Sequence, residues 1–400
     1  MSDRQEFARG WRVVLGGAIG AVFSISALPF YTLGVFLKPI AAATGWSREA
    51  IQWGFAVQML GILSVTWIWG AAIDRYGARP VALVSQVGLG LGLMVLPLVA
   101  TSITGWYLGW LLVAAMGAGT GQVTWTRGIS GWFDKARGAA LGVALVGTGI
   151  AAVVAPPAVT AVIGVRGWAM GYHLLGASVI VVGLPLVALL FRDAPAPAAG
   201  AAPLTGATRG EAMRDRRFWT MLVAFSTVTF GVAGIIPNLV PLLTDRGLDA
   251  ATAALYAGFA GLSVMFGRVV AGFLLDRYWA PAVALGFLSV PALACLLLAG
   301  TTLPSGPTIA LAVTLVGLAA GAEFDLIAFM AGRYFGMKNY GFIYGVLIGG
   351  VLAATGLAPA VFGHIHGATG SYDAALIAAG VIFLVAPMML LTLGKYPKNA

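Results

Sequence analysis

The sequence predicts an all-α membrane protein whose twelve spanning helices form two related bundles of six. Three observations predict it: long runs without charge, a one-sided distribution of Lys and Arg, and landmarks that recur 202 residues apart. Of the 400 residues, 60% are apolar and 9% are charged, whereas an ordinary soluble domain carries about 25% charged residues. So few charges cannot clothe a soluble surface of this size. Residues 13–37, 50–73 and 218–244 contain no charged side chain. Each run exceeds the roughly 20 residues that carry a helix across about 30 Å of hydrocarbon. A membrane barrel would instead show alternating segments of about 10 residues.

Charges and Pro/Gly clusters place the spans, in order, near 13–37, 50–73, 80–101, 106–131, 139–165, 168–191, 217–243, 251–275, 280–302, 308–333, 340–366 and 373–394. The charged start runs into the first span without a compact cleavage region, so it reads as a membrane helix and not a signal peptide. Two uncharged stretches each hold two spans. One breaks at "TSITG", 101–105, and the other at "TTLPSGPT", 301–308. The longest polar connection, 192–217, is rich in Pro, Ala, Gly and Thr. It reads as a flexible linker with a short basic amphipathic end. The expected organisation is a first six-helix bundle at 1–191, a cytoplasmic linker at 192–216 and a second bundle at 217–400.

Orientation follows from the cations. Eighteen of the 23 Lys and Arg fall on the side of the termini and the even-numbered connections. Lys38, Arg48, Arg166 and Arg246 fall on the other side, and Arg268 lies inside a span. Positive charge marks the cytoplasmic face, so both termini are expected there, in a bacterial cytoplasmic (inner) membrane. The net charge of +9 then faces anionic lipid, and no nucleic-acid partner is needed to explain it. Cys295 is the only cysteine, and His173, His364 and His366 are the only histidines. The residues therefore offer no disulfide and no metal site. No Walker sequence, cofactor motif or catalytic constellation is present, so neither an enzyme nor an ATP-driven pump is expected.

The repeat is specific. Gly70, Asp74, Arg75 and Tyr76 recur as Gly272, Asp276, Arg277 and Tyr278. "WFDKARGAALG", 132–142, parallels "YFGMKNYGFIYG", 334–345, with one inserted residue, and Pro156 parallels Pro359. Duplicated six-span halves are an architecture of secondary transporters, which bind substrate between the halves and rock about it.

"GAAIDRYGARP", 70–80, carries the pattern Gly-x-x-x-Asp-Arg-x-Gly-x-Arg. In this the sequence resembles the major facilitator superfamily, whose signature lies between the second and third helices. The resemblance covers essentially the whole chain and implies the major facilitator fold. It also implies a cytoplasmic gate built from Gly70, Asp74, Arg75, Gly77, Arg79, Asp276 and Arg277. Asp74 and Asp276 would face helix starts in the opposite half, where the dipole favours a carboxylate. Arg75, Arg79 and Arg277 would brace cytoplasmic ends, and Gly70 would let backbones approach closely. A positive-inside anchor with a glycine turn is the simpler alternative.

Within the superfamily the chain is similar to bacterial relatives of monocarboxylate transporters and oxalate–formate antiporters. The residues that carry this are "GWRVV", 10–14, "LGVFLKPIAAATGWSR", 33–48, and the two segments 132–142 and 332–345. The acidic residue that animal monocarboxylate carriers place before the first of these is missing. The fifth span, "GTGIAAVVAPP", 147–157, lacks the Gly-Pro-x-x-Gly-Gly pattern of proton-driven drug exporters.

Arg268 is the sharpest single residue. It lies two turns before Asp276, about 12 Å along the helix axis, and an arginine at that depth costs about 2.5–3.5 kcal/mol on insertion scales. It needs a partner or an aqueous cavity, and its planar fork suits a carboxylate. The resemblance implies that Arg268 binds the substrate carboxylate, and a structural ion pair is the alternative. Glu323 and Asp325 lie in the tenth span, and two positions on a helix are about 200° apart. They cannot both face one cavity. Proton coupling is expected at Asp325 first and Glu323 second, with structural charge balance as the alternative for either.

Arg127 is expected to snorkel to the interface, or else to act as a second anion anchor, with Gln122 and Thr124 adding polar contacts. Tyr31 and Asn238 follow Pro29 and Pro237. Proline-broken helices beside polar groups line transporter cavities, although a kink with ordinary packing produces the same pattern. Tyr344 is expected either to offer its hydroxyl to substrate or to join an interfacial tyrosine belt. The functional expectation is a carrier, acting as a monomer among membrane lipids. It moves a small organic anion, of the monocarboxylate class, together with a proton by alternating access. An oxalate–formate-type exchanger and an exporter of hydrophobic compounds are the rivals.

Overall fold

The structure is a computed structural model that describes residues 3–133, 136–194, 206–275, 277–300, 302–336 and 338–397. The described chain is helical throughout apart from one isolated bridge, Gly206 with Gly336. Seventeen α-helices follow in order. They are α1 (Asp3–Val22), α2 (Leu28–Thr44), α3 (Arg48–Tyr76), α4 (Ala78–Val99), α5 (Ile103–Gly117), α6 (Gln122–Ser130), α7 (Arg137–Arg166), α8 (Trp168–Ser178) and α9 (Leu184–Leu190). After the short α10 (Arg209–Arg214) come α11 (Arg216–Asp245), α12 (Ala250–Leu275), α13 (Ala280–Ser289), α14 (Pro291–Leu298), α15 (Gly306–Phe335), α16 (Tyr340–Thr369) and α17 (Asp373–Leu391).

Nine spans among the described residues are long and apolar enough to cross a membrane. The other three expected spans are the first, second and fourth. α3 forms the second and is continuous. The first breaks between α1 and α2, and the fourth between α5 and α6. Irregular backbone at membrane depth is tolerated only where the protein satisfies its polar groups, and here the two breaks do so jointly. The Ile25 N–H donates to Thr120 Oγ1 at 3.0 Å, and Gln58 Nε2 donates to the Ile25 carbonyl at 3.3 Å. The Trp125 indole donates to the Thr120 carbonyl at 2.8 Å.

By packing, the chain divides into two units, Met1–Pro197 with Pro237–Gly261, and Ala198–Ile236 with Leu262–Ala400. The boundary runs through α11 and α12, so the end of α11 and the start of α12 belong to the first unit. The core of that unit is aromatic. Phe36 stacks on Tyr172 at 4.0 Å, Trp106 meets Trp110 edge-on at 5.5 Å, and Trp125 meets Phe191 at 5.1 Å.

Each unit ties its ends with matching bonds. In the first, the Trp132 indole donates to the Arg192 carbonyl at 3.0 Å. In the second, the Tyr334 hydroxyl donates to the Gly394 carbonyl at 2.7 Å. Donor and acceptor both shift by 202 positions, from 132 to 334 and from 192 to 394. The start of α4 is capped by Asp193, whose carboxylate accepts from the N–H groups of Ala78 (2.8 Å) and Arg79 (3.1 Å). The equivalent start of α13 is capped by Tyr396, whose hydroxyl oxygen accepts from the Ala280 N–H at 2.9 Å. A first-turn N–H has no partner within its own helix, so each tail supplies one.

Asp193→Ala should therefore cost about 1 kcal/mol, as loss of a helix cap does, and lower the apparent melting temperature in detergent. Asp193→Asn, which keeps an acceptor, should lose less. A melting temperature unchanged by Asp193→Ala would show that the cap contributes nothing.

Candidate substrate site in the second unit

The site begins with a close helix crossing. A Cβ at Gly267 of α12 would meet the Leu318 carbonyl of α15, and one at Gly321 would meet the Val264 carbonyl and the Arg268 nitrogen. Small residues let two backbones approach in this way. The crossing places Arg268, next after Gly267, alongside Asp325, one turn beyond Gly321.

Arg268 is 4% exposed, and its Nε lies 3.7 Å from Asp325 Oδ2. That is an ion pair, but it is too long for a hydrogen bond. Nε and Nη1 are both buried with no hydrogen-bond partner among the described residues. A guanidinium offers five donors and no acceptor, and leaving such donors unmet in a buried place is costly. Asp325 keeps 25% of its side chain exposed, against 4% for Arg268. Chemically, the pair sets guanidinium nitrogens without hydrogen-bond partners beside a carboxylate.

Glu323 faces the other way, as the 200° spacing requires. It is 1% exposed and hydrogen-bonds Thr229 of α11, whose hydroxyl also lies 2.8 Å from the Phe225 carbonyl. The question left open by the sequence, which acid meets Arg268, is answered by Asp325. Tyr344 of α16 is half-buried and within electrostatic range of Asp325 and Arg268. It stacks on Tyr340 at 5.4 Å, nearly parallel, and the Tyr340 hydroxyl donates to the Ala328 carbonyl of α15 at 3.3 Å. Tyr340 was not anticipated. The signal was present in "YGFIYG", where two tyrosines four apart share a helix face.

The linker ends beside these tyrosines. The Ala207 N–H donates to the Phe335 carbonyl at 2.8 Å, and Asn339 Nδ2 donates to the Ala207 carbonyl at 2.9 Å. Thr208 and Glu211 form a capping box at the start of α10. Residues 206–214, which include the basic end of the linker, are docked by backbone bonds and a cap. Residues 195–205 lie outside the described chain. Hydrogen bonds from Thr208 hold the Glu211 carboxyl below its ordinary range.

The remaining candidates belong to the first unit or lie at chain turns. Tyr31 is half-buried and meets Phe30 edge-on at 5.1 Å. Asn238 is buried, and its Oδ1 accepts from Gln52 Nε2 at 2.7 Å. Gln122 begins α6, Arg127 is exposed in its last turn, and the Thr124 hydroxyl is spent on the Gly119 carbonyl. Gly77 stands at φ +90° facing Asp193, a conformation that favours glycine. Arg79 Nη2 donates to the Ala188 carbonyl at 2.8 Å, bracing the end of α9. Arg75 lies over Tyr76, and Arg277 lies 3.4 Å over the Phe273 ring. A side chain at Gly70 would meet nothing within 4 Å, so close backbone approach does not account for that glycine. Asp276 and the side chain of Asp74 lie outside the described residues.

The fold is that of a many-helix membrane protein. The family model described as Major Facilitator Superfamily matches residues 19–322, and the chain belongs to that family. It is a transporter and not an enzyme, and its relatives include monocarboxylate transporters. Human monocarboxylate transporter 11 is 29% identical, over 94% of this chain and 81% of that protein. Monocarboxylate transporter 13 of Bos taurus is 28% identical, over 97% and 90%. The Fujikurins efflux protein of Gibberella fujikuroi is 26% identical, over 95% and 81%. The solved structure of a bacterial homolog of the human lysosomal transporter Spinster matches with a TM-score of 0.66, covering 96% of this chain and 94% of that one at 18% identity. That likeness speaks for the fold alone.

Two outcomes test the local account. Gly321→Val should push α12 and α15 apart at a cost of about 1–3 kcal/mol, the range for overpacking, read as a lower apparent melting temperature. Because the Glu211 carboxyl is held down in the docked linker, its contribution is present above the ordinary carboxylate range and lost as pH falls through its lowered value. Glu211→Gln should mimic that loss at neutral pH and speed amide hydrogen exchange at Thr208. Unchanged exchange would show that the cap does not hold the linker.

Proposed function

We propose that this chain is a secondary active transporter for a small organic anion of the monocarboxylate class, coupled to a proton and working by alternating access. It sits in a bacterial cytoplasmic membrane with both termini on the cytoplasmic side, the reading that the eighteen-to-four cation bias supports. The observation that carries the proposal is the buried Arg268 guanidinium, with unmet donors beside a partly exposed acid. In the empty site Asp325 balances the cation. An incoming carboxylate takes the fork in a two-point contact, and Asp325, deprived of its counter-charge, accepts a proton. Anion and proton then cross together without net charge. Tyr344 orients the cargo, and Asp74, Asp276 and their neighbouring arginines hold the cytoplasmic side shut in the outward phase.

A second reading has its own support, since the relatives include an efflux protein. An exporter of hydrophobic compounds would not need the guanidinium.

Liposomes carrying the protein, an imposed pH gradient and a panel of labelled monocarboxylates test the proposal. Accumulation should follow the gradient. Arg268→Lys should cut uptake by about tenfold or more, since a point charge replaces a two-point fork. Asp325→Asn should abolish gradient-driven accumulation while exchange survives. Uptake that ignores pH but needs an internal counter-anion would replace symport with exchange. Transport of hydrophobic compounds surviving Arg268→Ala would overturn the anion reading.

A further inference from the structure

We propose that Lys38, Arg48, Gln52, Asn238 and Asp245 form a two-rung latch that holds the end of α11 against α2 and α3. The latch has to open before cargo can enter from the side opposite the termini. This rests on the transport reading and on the orientation given above.

The upper rung is ionic. Asp245, the last residue of α11, takes Arg48 on both oxygens, with Nη1 to Oδ2 at 2.5 Å and Nη2 to Oδ1 at 2.9 Å. Lys38 Nζ reaches the same Oδ1 at 2.9 Å. The lower rung is neutral and dry. Gln52, one turn beyond Arg48, donates from Nε2 to Asn238 Oδ1 at 2.7 Å, and both side chains are fully buried. Behind the rungs the backbones are in close contact. A Cβ at Gly34 of α2 would strike the Pro237 carbonyl, and one at Gly261 of α12 would strike the Gly149 carbonyl and Ala152 of α7.

Three features make this a latch rather than a permanent weld. The upper rung is partly exposed, and exposed ion pairs hold weakly. In the lower rung Gln52 Oε1 is buried without a hydrogen-bond partner, so the rung is not optimised for permanence. Pro237 and Pro241 lie inside α11 where the latched segment starts, and Pro237 is also where the packing boundary cuts the helix. Each proline removes a backbone donor and leaves a soft point at which the segment can turn away.

The closing experiment needs no identified cargo. Phe30 lies two turns before Lys38 on α2 and packs against Phe55, one turn past Gln52, so it sits inward of both rungs. In a Cys295→Ser background, Phe30→Cys is titrated with a membrane-impermeant maleimide in right-side-out and in inside-out vesicles. Asp245→Asn, and separately Gln52→Leu, should each speed labelling from the outer face by about fivefold, the shift that loss of one coupled contact produces. In a Lys38→Gln background, which removes the cation that would repel the exchanged arginine, Arg48→Asp with Asp245→Arg should return the rate of that background. Equal outer-face rates in all variants overturn the latch. Acceleration confined to the opposite face overturns the orientation and leaves the latch standing.

Discussion

The chain has to satisfy its polar groups without help from hydrocarbon, and that one constraint organises the structure. It makes every described element helical, since a helix bonds its own backbone. Where the first and fourth spans break, the freed groups are met by Thr120, Gln58 and Trp125. Where helices start at the surface, tail residues cap them. Some buried polar atoms among the described residues keep no partner, among them Gln52 Oε1, Trp110 Nε1 and two nitrogens of Arg268, and of these side chains Arg268 is buried at a helix crossing beside an acid. Its guanidinium is buried, cationic and short of acceptors.

The internal repeat separates scaffold from chemistry. The straps from Trp132 to Arg192 and from Tyr334 to Gly394 keep the same offset, and the caps by Asp193 and Tyr396 serve equivalent helix starts. The site does not repeat. Stepping back 202 positions from Arg268, Glu323 and Asp325 leads to Thr66, Gly121 and Val123. Contacts that keep a bundle's ends together serve both halves alike. Charged side chains at membrane depth are costly, and the first half carries none at those positions.

The relatives fit this division. The superfamily match extends over residues 19–322, most of the chain. The likeness to monocarboxylate transporters runs nearly end to end, with a fungal efflux protein among the relatives as well. Scaffold and membership therefore say "transporter".

The sequence by itself determined the helical membrane class, the run of spans, the duplication and the expense of Arg268, because charge-free length, charge asymmetry and spacing are local properties. The capping box at Thr208 and Glu211 and the paired tyrosines at 340 and 344 were equally local and readable. Only the tertiary structure decided which acid meets the arginine. The 200° step said that Glu323 and Asp325 diverge, and the crossing at Gly267 and Gly321 decided that Asp325 faces Arg268 while Glu323 goes to Thr229. Packing also decided that Asn238 meets Gln52 and that Asp193 caps α4. Those partners lie 186 and 115 residues apart, and periodicity says which way a side chain points along its own helix but not which other helix stands there.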